Sequence, residues 1–335
     1  MFEQGVDIKP YNTFGISAKS SYFSTFDSVV NLKKLIKNKP SGRLMVLGGG
    51  SNVLFTKDFD GVILKNEVKG KTIVKEDDQT VDLKVGAGEN WHSLVRYVID
   101  HDWGGIENLS LIPGNVGASP MQNIGAYGVE IKNVFISLEA YHIETGEVHT
   151  FLKKDCQFGY RESVFKKQLK NQYIILTVTY RLTKQHQLNT SYGAIEEELN
   201  KMNINTPTIK DISDAVIRIR QSKLPDPQKL GNAGSFFKNP VVKREVYQAI
   251  HNKYPDAPHY PIDEEKVKIP AGWLIEKAGW KGKRFNGFGV HDRQALVLVN
   301  YENAKGKEIY ALSEKIMKDI EEKFHIQLER EVNII

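Results

Sequence analysis

Residues 112–128 read IPGNVGASPMQNIGAYG, a run that neither alternates in hydrophobicity like a strand nor repeats like a helix. Its four glycines leave little side chain, so the backbone can approach a ligand closely or adopt a positive φ. Backbone N–H groups in such loops suit pyrophosphate oxygens, and the amides of Asn115, Gln122 and Asn123 can bond the polar edge of a flat heterocycle. We therefore predict an ordered ligand-binding loop. The alternative is a glycine-rich crossing in the core that binds nothing, and the run lacks the GxGxxG spacing of a dinucleotide-binding turn.

A second loop of small residues follows the short apolar strand predicted at 44–47. Its sequence, GGGSN over 48–52, is that of a candidate phosphate-binding turn. Asn52 is well placed to fix the turn through side-chain bonds to the backbone. A purely structural turn is the alternative, because glycines commonly follow strands.

The third loop, GNAGSFFKNP over 231–240, lies beyond the proline-rich boundary KLPDP at 223–227. Ser235 stands between a glycine and two phenylalanines, so its hydroxyl can be held in a dry pocket with Lys223 or Lys238 nearby. No GxSxG motif is present and no histidine and aspartate partners follow in hydrolase order, which argues against an acyl-transfer nucleophile. A held serine can instead donate a proton. The alternative is that Ser235 is only a turn residue.

Two charged residues complete the set of candidates. Arg161 follows a glycine and a tyrosine in a predicted turn, where its guanidinium can pair with a carboxylate or a phosphate. The alternative is a surface arginine. Glu331 lies on the strand predicted at 326–335, and a carboxylate on a terminal strand is usually exposed.

Composition and charge limit the function classes. The 335 residues are enough for two or three domains. The net charge of +5 comes from scattered lysines, which imply no nucleic-acid partner but are consistent with small anionic ligands. The single cysteine, Cys156, allows no internal disulfide and no zinc cluster, so we predict no metal and a core thiol in a reducing compartment. With no signal peptide and no membrane-spanning window in the sequence, we expect a soluble cytoplasmic protein.

Apolar periodicity predicts that the first half is a sheet-rich α+β unit. The predicted helices are one capped by Asp27 or Ser28, one from a cap near Asn90, one over 194–202, one capped by Ser213, one over 268–277 and one over 304–324. The predicted strands include hairpins at 72–85 and 134–152, a strand at 173–182 and a last strand at 326–335.

Eight segments, in order along nearly the whole chain, match one family pattern. They are LGGGSN (47–52), IPGNVGASPMQNIGAYG (112–128), FGYRES (158–163), KLPDP (223–227), GNAGSFFKNP (231–240), PAGWLIEKAG (270–279), VHDRQALVLVN (290–300) and LEREV (328–332). The sequence resembles the UDP-N-acetylenolpyruvoylglucosamine reductases, flavoenzymes that complete UDP-N-acetylmuramic acid for peptidoglycan. Tyr192 and the segment around it resemble the longer of the two family types, in which a tyrosine loop closes over the substrate.

The resemblance implies a fold that spacing alone does not give. The expected class is α+β, with a two-domain FAD-binding unit of the vanillyl-alcohol-oxidase/PCMH type and a third α+β domain that binds the substrate. The first FAD-binding subdomain would span 1–68, joined by the C-terminal strand at about 325–335. The second would span 69–212, and the UDP-sugar domain would span 213–324.

The resemblance also implies roles for residues at the matching positions. Ser235 would be the general acid, and Arg161 and Glu331 would hold and polarise the enolpyruvyl carboxylate. The FAD-binding residues would be Gly48, Gly49, Gly50, Ser51, Asn52, Ile112, Pro113, Gly114, Gly117, Ala118, Ser119, Gln122, Asn123, Ile124, Gly125, Ala126, Tyr127 and Gly128. The UDP-sugar site would be lined by Tyr192, Lys223, Asn239, Lys281 and Gln294.

The implied reaction accounts for these residue types. NADPH reduces FAD, and a hydride from the flavin N5 attacks C3 of the enolpyruvyl ether, which places negative charge on C2 and its carboxylate. A cation at the carboxylate stabilises that charge, typically by about 2.7–4 kcal/mol per well-placed donor. A proton donor must then quench C2, a task for which serine or cysteine serves and alanine does not. Glu331 would be protonated, or bonded to Arg161, when the hydride moves.

Two other functions remain open at this point. An FAD-dependent small-molecule oxidase of the same fold would share the glycine loops but would not need Ser235, Arg161 and Glu331 together. A non-catalytic nucleotide-sugar binder would be colourless when purified. The partners that the resemblance implies are FAD, NADPH and the small-molecule substrate UDP-N-acetylglucosamine enolpyruvate, with no nucleic acid, no membrane and a monomeric chain.

Overall fold

A computed structural model describes all residues, 1–335, and contains seven α-helices and nineteen strands. The helices are α1 (Val29–Lys37), α2 (Trp91–Asp100), α3 (Gly193–Lys201), α4 (Ile209–Lys223), α5 (Arg244–Lys253), α6 (Ala271–Lys277) and α7 (Gly306–Phe324). The strands are β1 (Glu3–Asp7), β2 (Lys19–Phe26), β3 (Arg43–Leu47), β4 (Val53–Leu54), β5 (Phe59–Asn66), β6 (Lys71–Glu76), β7 (Thr80–Gly86), β8 (Gly125–Ala126), β9 (Val129–Glu130), β10 (Phe135–His142), β11 (Val148–Leu152), β12 (Tyr173–Thr183), β13 (Val241–Lys243), β14 (Tyr260–Pro261), β15 (Lys266–Lys268), β16 (Arg284–Phe285), β17 (Phe288–Val290), β18 (Leu298–Asn300) and β19 (Asn333–Ile334). None of the helices is both long and apolar enough to cross a bilayer.

The chain divides into two compact units, and each unit takes segments from distant parts of the sequence. Unit 1 comprises Met1–Val6, Ser20–Gly49 and Asp60–Gln221. Unit 2 comprises Asp7–Lys19, Gly50–Phe59 and Ser222–Ile335. One boundary therefore falls inside the GGGSN loop. The three-domain division drawn from the family resemblance stays a prediction.

Unit 1 is built on two sheets. The five-stranded sheet has the order β11-β10-β12-β7-β6 and is antiparallel throughout. The other has the order β1-β2-β5-β3, with β3 and β5 parallel. Both predicted hairpins are present, as β6–β7 and β10–β11, and the predicted strand at 173–182 is β12.

Helix α2 buries its apolar face in the largest core of unit 1. Asn90 caps the helix, as predicted, by accepting a hydrogen bond from Ser93 N at 2.9 Å. Trp91 and Leu94 are almost fully buried with residues of β7, β10 and β12. Cys156 lies in the same core, and burial raises the pKa of its thiol to about 12, so the predicted core thiol stays protonated at neutral pH.

Unit 2 combines small sheets with the longest helix. Its sheets have the orders β13-β15-β14 and β16-β17-β18, together with the parallel pair β19-β4. Helix α7 confirms the helix predicted at 304–324, and the apolar stripe that includes Ile309, Ile316 and Ile320 is fully buried.

The starts of two helices differ from the predictions. Ser213 caps no helix, because it lies inside α4 with its hydroxyl 2.8 Å from Ser110 Oγ. The helix begins earlier, where Thr208 N donates to Asp211 Oδ2 at 2.8 Å and Asp211 N donates to Thr208 Oγ1 at 3.3 Å. The helix predicted at 268–277 begins only at Ala271, after a proline.

The last strand is also much shorter than predicted. Over 326–335 only β19 is a strand, and it pairs with β4. Arg330, a few residues earlier, instead forms a bridge to Phe237. The segment changes its pairing partner along its length, so its alternating side chains do not produce one continuous strand.

Gly306 gives a test of the packing in unit 2. It begins α7, and a Cβ at that position would lie 1.7 Å from the carbonyl oxygen of Phe55. Because the neighbour is backbone, Gly306→Ala must displace the start of the helix. We predict a loss of about 1–3 kcal/mol in the free energy of unfolding, measured by denaturant titration.

Gly193→Ala is the matched control, because Gly193 also begins a helix but has nothing within 4 Å of a Cβ. Its free energy of unfolding should equal that of the parent or rise by about 0.4–1 kcal/mol. Equal losses in the two variants would contradict the packing at Gly306.

Candidate functional site

The loop at 112–128 is ordered, as predicted, and its first half is pinned to the turn that precedes α2. Gly117 N donates to Ala87 O at 2.9 Å, and Val116 N donates to Glu89 O at 2.9 Å. Trp91 N, at the start of the helix, donates to Gly114 O at 3.0 Å. These bonds fix the loop backbone from one side.

The two glycine loops approach each other at a distance that excludes side chains. A Cβ on Gly49 would lie 2.8 Å from the Cα of Gly114. A Cβ on Gly117 would lie 2.7 Å from the Cβ of Ala87. The structure therefore brings the predicted residues Gly48 and Gly49 next to the first half of the 112–128 loop, beside Gly114 and the side chain of Asn115.

The second half of the loop is braced by buried side chains. Ser119 Oγ lies 2.6 Å from Tyr180 Oη, and burial raises the pKa of that tyrosine, which keeps the phenol protonated. Asn123 is fully buried; its Nδ2 donates to Gly159 O at 3.1 Å, and its Oδ1 accepts from Lys132 N at 3.1 Å. Both side chains make these bonds within the protein and fix the shape of the loop.

Arg161 occupies the turn that the sequence predicted. Gly159 N donates to Glu162 O at 3.1 Å and Glu162 N donates to Gly159 O at 3.3 Å, which leaves Arg161 at a left-handed φ of 55°. Its Nη2 donates to Gly125 O at 2.8 Å. The half-buried side chain therefore contacts the 112–128 loop, so Arg161 is not a surface arginine.

A second arginine, to which the sequence analysis gave no role, acts electrostatically on Arg161. Arg220 is in the last turn of α4, and its Nε is buried without a hydrogen-bond partner. Desolvation lowers the pKa of Arg220 and the charge of Arg161 adds to this, whereas a side-chain hydrogen bond with Tyr127 opposes it. Two guanidiniums whose charges act on each other supply positive charge of a kind that suits a carboxylate.

His92 supports the start of the same loop. Its Nδ1 accepts a hydrogen bond from Leu111 N at 2.9 Å. Burial lowers the pKa of His92, and the charges of Arg96 and Arg220 lower it further. The imidazole therefore remains neutral at neutral pH and keeps its acceptor.

In unit 2, hydrogen bonds to backbone carbonyls join the segments that carry three predicted residues, Ser235, Glu331 and Asn52. Glu331 N donates to Phe236 O, next to Ser235, at 2.9 Å. Asn52 Nδ2 donates to Glu331 O at 3.3 Å, and Asn52 O accepts from Asn333 Nδ2 at 2.9 Å. We call these joined segments, residues 50–54, 235–238 and 329–335, the C-terminal seam.

The turn before Ser235 is built by a buried amide. Asn232 Oδ1 accepts from Gly234 N at 2.9 Å, and Phe236 N donates to Leu296 O at 2.8 Å. Phe236 is fully buried, whereas Ser235 is half-buried. Anchors on both sides of Ser235 therefore set the position of its backbone.

Two of the predicted UDP-sugar residues meet at the first turn of α6. Asn239 Oδ1 accepts from Ala271 N at 2.9 Å. Gln294 Oε1 lies 2.9 Å from where a Cβ on Gly272 would be, so only glycine fits there without movement. The structure thus brings Asn239 and Gln294 together.

The remaining predicted UDP-sugar residues, Lys223, Lys281 and Tyr192, are exposed. Lys281 Nζ pairs with Glu276 Oε1 at 2.9 Å, and Lys223 ends α4. Tyr192, in unit 1, presents its ring edge-on to Tyr127 with 5.3 Å between the ring centroids. Lys238, named as a neighbour of Ser235, is paired with Glu329.

Comparison with known proteins decides the family. A family model described as UDP-N-acetylenolpyruvoylglucosamine reductase, C-terminal domain, matches residues 226–335, and one described as FAD binding domain matches residues 24–152. The UDP-N-acetylenolpyruvoylglucosamine reductase of Flavobacterium johnsoniae is 54% identical over 334 residues, which are 99% of each chain. The chain belongs to the UDP-N-acetylenolpyruvoylglucosamine reductase family. The reductase of Chromobacterium violaceum is 45% identical over 337 residues, covering 100% of this chain and 99% of the relative.

Solved structures agree with this assignment at the level of the fold. The crystal structure of the reductase from Thermus caldophilus matches with a TM-score of 0.70 at 22% identity, covering 100% of this chain and 98% of that chain. A p-cresol methylhydroxylase structure matches with a TM-score of 0.50 at 14% identity, covering 94% and 83%. The predicted family and the predicted α+β class with an FAD-binding fold are confirmed. As a member of this reductase family, the chain is an FAD-containing oxidoreductase of peptidoglycan precursor synthesis.

The residues of unit 1 fit FAD. The two glycine loops carry no side chains at their closest approach, at Gly49 and Gly114, and a cradle of this kind admits a pyrophosphate against backbone N–H groups. Both glycines lie within the matched FAD binding domain. When bound, FAD would be held by these loops and by the braced second half of the 112–128 loop.

The close spacing of the two glycine loops provides a test of the predicted FAD site. We predict that Gly49→Ala weakens FAD binding at least about tenfold, roughly 1.4 kcal/mol, because its Cβ pushes the loop away from Gly114. Titration of the flavin-free protein with FAD measures the effect. Gly48→Ala is the control, since a Cβ there meets only Asn115 Cβ at 3.7 Å, an ordinary contact. Parent-like affinity in Gly49→Ala, or an equal loss in both variants, would exclude loop spacing as the cause.

Proposed function

We propose that this reductase uses NADPH to convert UDP-N-acetylglucosamine enolpyruvate to UDP-N-acetylmuramate, with Ser235, Arg161 and Glu331 as its catalytic residues. Bound FAD supplies the redox chemistry by taking two electrons from NADPH and delivering a hydride to C3 of the enolpyruvyl ether. The protein's own task is to hold the substrate, stabilise the charge that develops at C2 and its carboxylate, and supply one proton to C2.

The observation that carries the proposal is the C-terminal seam. Ser235 and Glu331 come from segments that are far apart in sequence, yet Glu331 N bonds the carbonyl of the residue after Ser235. Asn52, from a third segment, bonds Glu331 O. The fold of unit 2 thus joins the segments that carry Ser235, Glu331 and Asn52, which supports a shared task for them.

Ser235 donates the proton to C2. A serine hydroxyl is a weak acid in water, but the carbon that receives the hydride's electron density is a strong base, so the transfer needs position more than acidity. The bonds on both sides of Ser235 supply that position.

Arg161 holds the substrate carboxylate. The guanidinium is anchored by its bond from Nη2 to Gly125 O, and the planar fork of an arginine matches the two oxygens of a carboxylate. Charge grows on this carboxylate as the hydride arrives, so the bonds strengthen in the transition state. Glu331 polarises the same group, and Tyr192, Lys223, Asn239, Lys281 and Gln294 bind the UDP sugar.

Anaerobic half-reactions test the function. We expect NADPH to bleach the bound flavin, and the enolpyruvyl UDP-sugar to restore its absorbance much faster than air does. Rapid reoxidation by air with no response to the UDP-sugar would instead identify an FAD-dependent small-molecule oxidase. A colourless protein that takes up no FAD would identify a nucleotide-sugar binder.

Substitution of Ser235 tests the proton donor. We predict that Ser235→Ala retains FAD and is reduced by NADPH, but is reoxidised by the UDP-sugar several orders of magnitude more slowly, and that Ser235→Cys recovers part of the rate. Stopped-flow absorbance measures both steps. The control is Ser17→Ala, at an exposed serine of unit 2. A Ser235→Ala rate within about tenfold of the parent, roughly 1.4 kcal/mol, would exclude this serine as the donor.

Substitution of Tyr192 tests the closing loop. We predict that Tyr192→Phe raises KM for the UDP-sugar more than it lowers kcat, because Tyr192 is an exposed residue whose hydroxyl would contact the bound substrate and would take no part in hydride or proton transfer. Steady-state kinetics at saturating NADPH measure both constants. An unchanged KM would count against a tyrosine loop that closes over the substrate.

The sequence-based expectations of a cytoplasmic, monomeric protein without nucleic-acid or membrane partners belong to the same proposal. They fit a small anionic substrate and a mild net charge of +5. Light scattering of the purified protein measures the oligomeric state.

A further inference from the structure

Asn108 is a buried asparagine to which the sequence analysis gave no role. It lies in the one-turn helix Glu107–Leu109, shortly before the 112–128 loop, and is only 1% exposed. Its Nδ2 donates to two backbone carbonyls of other segments, to Tyr127 O at 3.0 Å and to Asn189 O at 2.9 Å. One amide group therefore joins the end of the 112–128 loop to a segment far along the chain.

The orientation of this amide follows from its surroundings. Both contacted atoms are carbonyl oxygens, which only accept hydrogen bonds, so the NH2 group of Asn108 must face them. The amide oxygen, Asn108 Oδ1, is buried without a hydrogen-bond partner in the protein, which is an unfavourable position for it. Turning the amide around would place that oxygen against two other oxygens. The two donor bonds therefore hold the side chain in this orientation.

The backbone that carries Asn108 is anchored in the core of unit 1. Trp91 Nε1 donates to Leu109 O at 2.9 Å, and the indole is almost fully buried. On the other side, Glu107 O accepts from Ser110 Oγ at 2.7 Å. Because its neighbours on both sides are held, Asn108 offers its NH2 group from a fixed position.

The segment that Asn108 holds leads directly to Tyr192. Asn189 Oδ1 accepts hydrogen bonds from Ser191 N at 3.2 Å and from Ser191 Oγ at 2.7 Å, which form a tight turn. The ring of Tyr192 then packs edge-on against that of Tyr127, with the planes inclined at 84°. Tyr192 is exposed, so its position depends on contacts such as these and not on burial.

We propose that Asn108 is a positioning residue that fixes residues 189–192, the base of the tyrosine loop, to the 112–128 loop and so places Tyr192 for the UDP sugar. The inference rests on the proposed function, in which Tyr192 binds that sugar. A segment that is already held in place loses less conformational freedom when the ligand binds, so the two bonds of Asn108 contribute to affinity. They contribute little to the chemical steps, in which Asn108 has no part.

Asn108→Ala tests this role because it removes both donor bonds. We expect it to weaken binding of UDP-N-acetylmuramate, the product, about tenfold, as for the loss of two hydrogen bonds. Calorimetric titration of the oxidised, FAD-loaded protein measures the Kd. The rate at which saturating enolpyruvyl UDP-sugar reoxidises the reduced flavin should stay within about threefold of the parent rate. A parent-like Kd, or an equal loss of affinity and rate, would overturn the proposal.

A double variant tests whether Asn108 acts through Tyr192. Tyr192→Ala removes the ring that the held segment carries, so it should also weaken UDP-N-acetylmuramate. In the double variant with Asn108→Ala the two losses should not add, because the bonds of Asn108 have no ring left to place. Additive losses would mean that the two residues act independently and would overturn the proposal.

A second single variant loosens the same segment without touching the core. Asn189→Ala, at a half-buried residue, removes both bonds to Ser191, so it should weaken UDP-N-acetylmuramate in the same direction. Parent-like affinity in Asn189→Ala would overturn the proposal even if Asn108→Ala did not fold. Near-ultraviolet circular dichroism of each variant checks the fold.

Asn300→Ala is the matched control. Asn300 is also buried, and its Nδ2 donates to the backbone of a distant segment, Phe14 O, at 2.8 Å, but it lies in unit 2. Its Kd for UDP-N-acetylmuramate should stay within about twofold of the parent value. A parent that binds this ligand, with an Asn108→Ala variant that binds it equally, overturns this inference alone. A parent whose reduced flavin does not respond to the enolpyruvyl UDP-sugar overturns the proposed function instead.

Discussion

The hydrogen bond from Glu331 N to Phe236 O is the constraint on which the chemistry of unit 2 depends. It joins the end of the chain to the third glycine loop, and the bond from Asn52 Nδ2 to Glu331 O adds the second loop. Backbone bonds of this kind fix direction as well as distance, because each N–H and C=O points along a defined axis. A hydroxyl carried by such a backbone has few positions available to it.

Unit 1 depends on a different constraint, the exclusion of side chains where its two glycine loops meet at Gly49 and Gly114. Glycine at both positions allows the two backbones to touch. Arg161 is anchored to the second half of the 112–128 loop by its bond to Gly125 O. Desolvation by burial lowers the pKa of the second arginine, Arg220.

The sequence predicted local features well, because their causes are local. The cap at Asn90, the apolar stripe of α7 and the tight turn at Arg161 each follow from a few neighbouring residues. The predicted start of α4 was wrong, although the sequence contains the signal for the true start. Thr208 and Asp211 form a capping pair, but Ser213 stands before a more obvious apolar run.

Features that depend on distant segments could not be predicted from the sequence. The last strand was overestimated because residues 326–335 change pairing partner, and nothing in their alternation reveals this. In the sequence, Arg220 looks like an ordinary helix residue. Its Nε is buried only because α4 packs beside Tyr127 in the fold. The family resemblance named the residues of the site, whereas the bonds that hold them required the structure.

The most direct test of the account is the stereochemistry of protonation at C2. If Ser235 is the proton donor, its hydroxyl, held by the backbone of the C-terminal seam, should deliver the proton to one face of C2 only. The reaction in deuterium oxide should therefore give, by nuclear magnetic resonance, a single C2 diastereomer of UDP-N-acetylmuramate with solvent deuterium at C2. A mixture of C2 diastereomers would contradict a fixed donor at Ser235.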